Sequence, residues 1–185
     1  GNTTTATRIV NIFDDNIPPT ALCQDISVIL NENQITITAS QIDNNSTDEF
    51  GIASLSINID SFDCSNLGEN TVILTVTDVN GNSSECSATV TVIDDTNPTI
   101  IAPEDILSYI NEDSCYTTEL ALGNPEVEDN CIISSITNDA PDTFNTGETI
   151  ITWTVTDSVG NSSTDTQIIT IQDNIPPVIT ETFGD

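Results

Sequence analysis

The sequence predicts an all-β protein made of tandem β-sandwiches of about seven short strands each. Three observations carry this: apolar residues alternate with period two, turn residues punctuate the alternation, and the pattern repeats within the chain. Val72, Leu74 and Val76 face one way, with Ile73, Thr75 and Thr77 the other. Cys86, Ala88, Val90 and Val92 then alternate with Ser87, Thr89 and Thr91. Such alternation marks half-buried strands. Between these runs lies Val79-Asn80-Gly81-Asn82, and Asn-Gly between alternating runs is a strong hairpin signal, with a type I′ turn needing positive φ at both central residues. Apolar residues make up 36% of the chain, below the roughly 45–50% usual in globular proteins. The remainder is Thr, Ser, Asn and Asp, a vocabulary of pleated sheet and turn.

The repeat sets the organisation. Asp14-Asp15-Asn16-Ile17-Pro18-Pro19 recurs 80 positions on as Asp94-Asp95-Thr96-Asn97-Pro98-Thr99, and again as Asp173-Asn174-Ile175-Pro176-Pro177. TVTDVNGNSS from Thr75 recurs 79 positions on as TVTDSVGNSS from Thr154. Repeat one is expected at 15–94 and repeat two at 95–173. The ends are out of phase with this unit. Residues 1–14 align with the final hairpin of a repeat and read as the last strand of a preceding one, and 174–185 open a following one. This fits either an excerpt of a longer array or a subunit whose N-terminal strand completes a neighbour's sheet. Earlier strands fit Ile26 to Leu30, Ile35 to Ala39 and Ile52 to Ile59. Repeat two places Ile151, Trp153 and Val155 inward, turns at Val159-Gly160-Asn161 and closes through Ile168 to Ile171. Trp153 matches Leu74 in register and reads as core.

Charge excludes whole classes of function. The chain has 30 Asp and Glu against a single base, Arg8, and no His, for a formal charge of −29. Without His or Lys there is no His-based triad, Schiff base or Lys-containing P-loop. The field repels nucleic acid. The apolar runs are too short to span a membrane as helices. A carboxylate pair of the glycosidase kind has no cleft-forming insertion to sit in, so no enzyme is expected.

ALCQDISV from Ala21, FDCSNLGENTVILTVTDVNGNSSECSATVTV from Phe62 and the linker DDNIPP together resemble hyalin-repeat (HYR) domains, an immunoglobulin-like family. The Lys-poor, Asn- and Thr-rich flavour resembles members from secreted and surface proteins of Bacteroidetes-type bacteria. The resemblance implies immunoglobulin-like sandwiches, an extracellular or cell-surface location and adhesive or array-building roles without enzymatic activity. It also implies that Cys23 pairs with Cys86. Family members often carry a Cys where this chain has Phe50, which leaves Cys64 odd, either a buried thiol or the site of an intermolecular bond. Proximity within repeat two suggests Cys115 with Cys131. Closing the two loops would contribute about 4 and about 3 kcal/mol.

Thirty carboxylates with one base must find water, backbone N–H groups or cations. In a sandwich of this topology the linker, the loop between the second and third strands and the final hairpin turn gather at one pole, and all three are acidic. For repeat one the candidate ligands are Asp14, Asp15, Asn16, Asp48 and Asp78, with Asp43 and Asn80 nearby. For repeat two they are Asp94, Asp95, Asn97, Glu128, Asp129 and Asp157, with Glu126 and Glu69 nearby, and Asp173 begins the next linker. Ca²⁺, which takes six to eight oxygens in a flexible cage, suits this set better than Mg²⁺. The plain alternative is that Asp and Asn here only form turns, Asp78 and Asp157 capping theirs. Expected partners are neighbouring repeats or copies of the chain, the alternative being a glycan or protein receptor.

Overall fold

The computed structural model describes residues 1–4, 16–110, 116–118 and 120–176. The expected donor strand therefore lies mostly outside the described residues, as do Asp14, Asp15, Cys115 and most of the tail after Asp173. The chain divides into two compact units, Gly1–Ile29 with Gln34–Ile93, and Leu30–Asn33 with Asp94–Asp185. Strand accounts for 53% of the described residues and helix for 4%, and the architecture is the immunoglobulin-type β-sandwich.

In unit 1 the strands are β1 (Ile26–Ile29), β2 (Gln34–Thr36), β3 (Ile52–Ile57), β4 (Ser61–Asp63), β5 (Gly68–Asp78) and β6 (Ser83–Ile93). Four form a sheet in the order β1-β6-β5-β3, and β2 pairs with β4. The alternation seen in the sequence is the reason: Val72, Leu74, Val76, Ala88, Val90 and Val92 are all buried, and Phe62 on β4 is 1% exposed. Their partners Thr71, Ile73, Thr75 and Thr77 lie on the other face, where Thr77 and Ser83 hydroxyls meet at 2.9 Å.

In unit 2 the strands are β7 (Thr99–Ile101), β8 (Ile106–Tyr109), β9 (Tyr116–Thr117), β10 (Glu126–Glu128), β11 (Ile133–Asn138), β12 (Phe144–Asn145), β13 (Gly147–Asp157) and β14 (Ser162–Gln172). The main sheet runs β11-β13-β14-β8, with β10-β7 and β12-β9 as two-stranded pairs. Its connectivity copies that of unit 1. The long hairpin is antiparallel, the first edge strand joins the last strand in parallel, and the other edge carries a register shift at Ile133/Ser135 as at Ile52/Ser54. Ile110, Phe144, Ile151, Trp153, Ile169 and Ile171 make the core.

Two expectations are corrected here. The hairpin turn is not a two-residue type I′ turn: the strands stop at Asp78 and restart at Ser83, and Gly81 has a positive φ of 94° while Asn80 does not. The Asp78 carboxylate explains the wider loop, because its Oδ1 accepts the Asn80 and Asn82 N–H groups, both at 2.8 Å. The strand expected over Ile35 to Ala39 ends at Thr36, and Ala39–Ile42 forms one helical turn, α1. The Gln41 side chain accepts the Thr38 N–H at 2.7 Å, a local bond that competes with the strand ladder.

The implied Cys23–Cys86 disulfide is formed, spanning 63 residues. Cys64 is half-buried and disulfide-bonded, which overturns the expectation of a buried thiol, and Cys131 is disulfide-bonded as well. In unit 2 the position of Cys86 is taken by Asp165, since Trp153 faces Asp165 as Leu74 faces Cys86. Asp165 Oδ2 accepts the Ala102 N–H at 2.8 Å, one residue before Pro103, the counterpart of Cys23. Next to it, the Gln167 amide donates to Glu104 O at 2.8 Å and Leu122 O at 3.0 Å and accepts from the Trp153 indole at 3.2 Å. A set of backbone and side-chain hydrogen bonds thus stands at the place of the covalent tie.

Leu74 is fully buried, so Leu74→Ala is expected to cost about 2–5 kcal/mol in urea unfolding. Cys86→Ser, which opens the 63-residue loop, is expected to cost about 4 kcal/mol.

Candidate metal centre in unit 2

Repeated Asx turns build the site. Asp157 closes β13 as Asp78 closes β5. Its Oδ1 accepts Val159 N–H at 2.9 Å, Gly160 N–H at 2.6 Å and Asn161 N–H at 2.8 Å, and its Oδ2 accepts the Asn161 amide at 2.8 Å. Burial would raise this carboxyl, but the Asn161 amide and the turn's N–H groups outweigh it and hold it below its ordinary value. Asp78 is lowered by the same balance, burial raising it and the Asn82 amide with three turn N–H groups lowering it further. Asp129 precedes β11 as Asp48 precedes β3, and the two turns match. Asp129 Oδ2 accepts Cys131 N–H at 3.2 Å, and Asp48 Oδ1 accepts Phe50 N–H at 2.8 Å.

Asp94 opens unit 2. Its Oδ1 accepts Thr96 N–H at 3.2 Å and the Asn130 amide at 3.1 Å. The Asn161 amide, already on Asp157, also reaches Asp94 O and Thr96 O, both at 3.3 Å. Three loops are thereby fastened together.

The result is a cluster in which carboxylate oxygens of Asp94, Asp129 and Asp157 all lie within 4.8 Å of one another. Asp94 is 7% exposed and Asp157 2%. Asp94 Oδ2 and Asp129 Oδ1 are buried and accept no hydrogen bond. Like charges at that spacing repel by about 3 kcal/mol per pair at an effective dielectric of 20. The chain's only base is Arg8. Buried charge without a partner is costly, so the arrangement has the chemistry of a hard-cation cage: oxygen donors only, net negative, with acceptor capacity left over.

The other expected ligands fall elsewhere. Asp95, Asn97, Glu128, Asn16 and Asp173 are exposed, and none of the acids among them belongs to this cluster. Asp173 Oδ1 takes the Ile175 N–H at 2.9 Å. Glu126 is exposed on β10, and Glu69 lines a shallow pocket with Asp25, Thr89 and Thr91 in unit 1. Asp43 Oδ1 closes its own loop onto Ser46 N–H at 3.1 Å. Asn130 and Asn161 organise the site although neither is acidic. The repeated GNSS held the signal for the second, because Asn82 donates to Asp78 as Asn161 does to Asp157.

Fold and site together define a class: an extracellular, disulfide-bonded β-sandwich protein with an acidic loop cluster, disulfides being the mark of an oxidising compartment. Among the described residues no helix is long and apolar enough to cross a membrane. No family model matches the chain. It is 28% identical over 196 residues to hyalin of Strongylocentrotus purpuratus, covering all of this chain and 16% of that protein. It is also 28% identical over 191 residues to hyalin of Lytechinus variegatus, covering 97% and 36% respectively. Hyalin-repeat-like domains are thus supported along the whole chain, which spans only a minor part of those relatives. The expected bacterial character finds no support, since both are sea-urchin proteins. Among solved structures, Drosophila N-cadherin EC1–4 aligns at a TM-score of 0.41 and 13% identity, over 84% of this chain and 50% of that one. Fibronectin(III)-like modules of Clostridium thermocellum CbhA align at 0.32 and 13%, over 89% and 98%. At those scores the likeness supports no inference about function.

Asp157 and Asp165 both titrate below the ordinary range, Asp165 because it accepts the Ala102 and Thr166 N–H groups. A depressed carboxyl stabilises the fold above its unfolded pKa, about 4, and that stability drains away as pH falls through the lower folded value. Melting of unit 2, followed through Trp153, is therefore expected to hold steady from neutral pH down to about 4 and to fall below it. Asp165→Asn is expected to lower the neutral-pH melting temperature and flatten the acid limb.

Proposed function

We propose that the chain is a non-enzymatic structural and adhesive segment of an extracellular protein, in which tandem sandwiches form a rod or self-assembling filament stiffened by Ca²⁺ at the linker. The observation that carries this reading is the placement of Asp94. The first residue after β6 is buried among carboxylates of two other loops. A cation there would fasten the start of the linker to unit 2 and shorten the stretch free to bend. The resemblance to hyalin and the disulfides support the extracellular setting. The absence of His and Lys from the sequence argues against most nucleophilic and acid–base machinery.

An adhesin that binds a glycan or protein receptor is the second reading. It is favoured by Leu107, Tyr109 and Ile150, which are 54%, 49% and 65% exposed and, by strand register, share the outer face of the main sheet of unit 2.

Electron microscopy of a multi-repeat form with Ca²⁺ and with chelator distinguishes the readings. Straight particles that become flexible on chelation are expected. Particles of unchanged stiffness that do not associate would remove the rod, and receptor capture lost in Ile150→Glu would favour the adhesin.

A further inference from the structure

We infer that Asp94, Asp129 and Asp157 form a single Ca²⁺-binding site contained within unit 2, and that the acidic residues flanking them are not ligands. This rests on the proposed role of cations at the linker and makes it specific. Three independent features support it. The three carboxylates converge to within 4.8 Å. Asp94, nine-tenths buried, keeps an oxygen that accepts no hydrogen bond, and so does Asp129. The remaining donors nearby are already committed: the Asn161 amide is shared between Asp157, Asp94 and Thr96, and the Asn130 amide is held by Asp94 Oδ1 and by Leu30 O at 2.7 Å.

The amide network explains why the site persists under its own repulsion. Each carboxylate accepts turn N–H groups on one oxygen and is oriented by them, so the loops are set before any ion arrives. Asp94 Oδ2 and Asp129 Oδ1 are left without a protein donor, because the turn N–H groups go to the other oxygen, while Asp157 Oδ2 accepts the Asn161 amide alone. Oxygen-only donors of net charge −3 suit Ca²⁺, with water completing six to eight ligands. Mg²⁺ demands a stricter octahedron and gives up its own waters reluctantly. Asp95, Asn97 and Glu128 are exposed, so they belong to the solvated surface.

Calorimetric titration of CaCl₂ and MgCl₂ into the chelator-treated chain, with melting followed through the only Trp, tests this. Trp153 lies in the unit 2 core, so its emission reports the unit that holds the site. We expect Ca²⁺ to bind with a Kd on the order of 0.1–1 mM and to raise the Trp153 melting temperature, with Mg²⁺ at least tenfold weaker. Asp129→Asn, which retains an acceptor for Cys131 N–H, should abolish the melting shift and weaken this binding at least tenfold. Asp94→Asn is the second variant should the first unfold, judged by far-UV circular dichroism. The double variant Asp95→Asn with Glu128→Gln should behave as wild type. A Ca²⁺-dependent shift that survives in both single variants, or Mg²⁺ binding equal to that of Ca²⁺, would overturn the assignment. Binding without stiffening in the microscope would overturn the rod and leave this site intact. Absence of binding would overturn the site and leave the extracellular structural reading standing.

Discussion

A carboxylate oxygen accepting a backbone N–H is the interaction on which this structure depends. With 30 acids and one base, ion pairs cannot organise the chain, and the acids are used instead as acceptors that fix turns and strand edges. Asp78 and Asp157 shape the hairpin loops, Asp48 and Asp129 the loops before the bulged edge strands. Asp25 and Asp105 accept from Thr89 and Ile168, both at 2.7 Å, where the parallel edge strand begins. Each pair sits at matching places in the two units. The acidity is thus partly architectural, since a hydrogen bond to a charged acceptor is worth roughly 1.5–3 kcal/mol against about 1 for a neutral one.

The two units show which parts of this scheme tolerate change. The hairpin, its Asp-anchored loop and the parallel edge keep the same register in both units. The centre diverges: Leu74, Cys86 and Ala88 become Trp153, Asp165 and Gln167. A larger indole needs a polar partner for its N–H, and Gln167 supplies one while bonding two carbonyls of neighbouring segments. Volume, polarity and cross-link change together, so the substitutions are intelligible as one replacement of a covalent tie by a hydrogen-bonded one.

Much of the fold was legible because periodicity and repetition are local. Val72 to Val76 and Cys86 to Val92 alternate without interruption, and the Asp-Asn-Pro linkers mark their own period. The hairpin loop misled because Asn80-Gly81 is a strong signal in isolation, while the outcome was decided by the Asp78 side chain two residues earlier. Ile35 to Ala39 misled for a similar reason, with Gln41 capturing the Thr38 N–H. At the site, the sequence could indicate which loops are acidic but not which members point inward. Asp94 and Asp95 are adjacent and chemically identical, yet one is buried and the other exposed. That choice depends on Asn161, which the repeated GNSS does mark, and on Asn130, whose amide reaches Asp94 with no trace in spacing.

The parallel pairing of the first and last strands has a mechanical meaning. Ile26 to Ile29 run beside Val90 to Ile93 in the same direction, so tension applied at the two ends of unit 1 pulls these strands past each other and loads their hydrogen bonds together rather than one at a time. Ahead of that clamp sits Cys23–Cys86, a covalent shortcut that keeps the 63 residues it spans from paying out. Unit 2 has the same clamp, with Ile106 to Tyr109 beside Ile169 to Gln172. At the corresponding place, however, it has the Ala102–Asp165 hydrogen bond, which parts under load and re-forms on release. One chain thus carries, at corresponding places, an inextensible tie in unit 1 and a yielding one in unit 2.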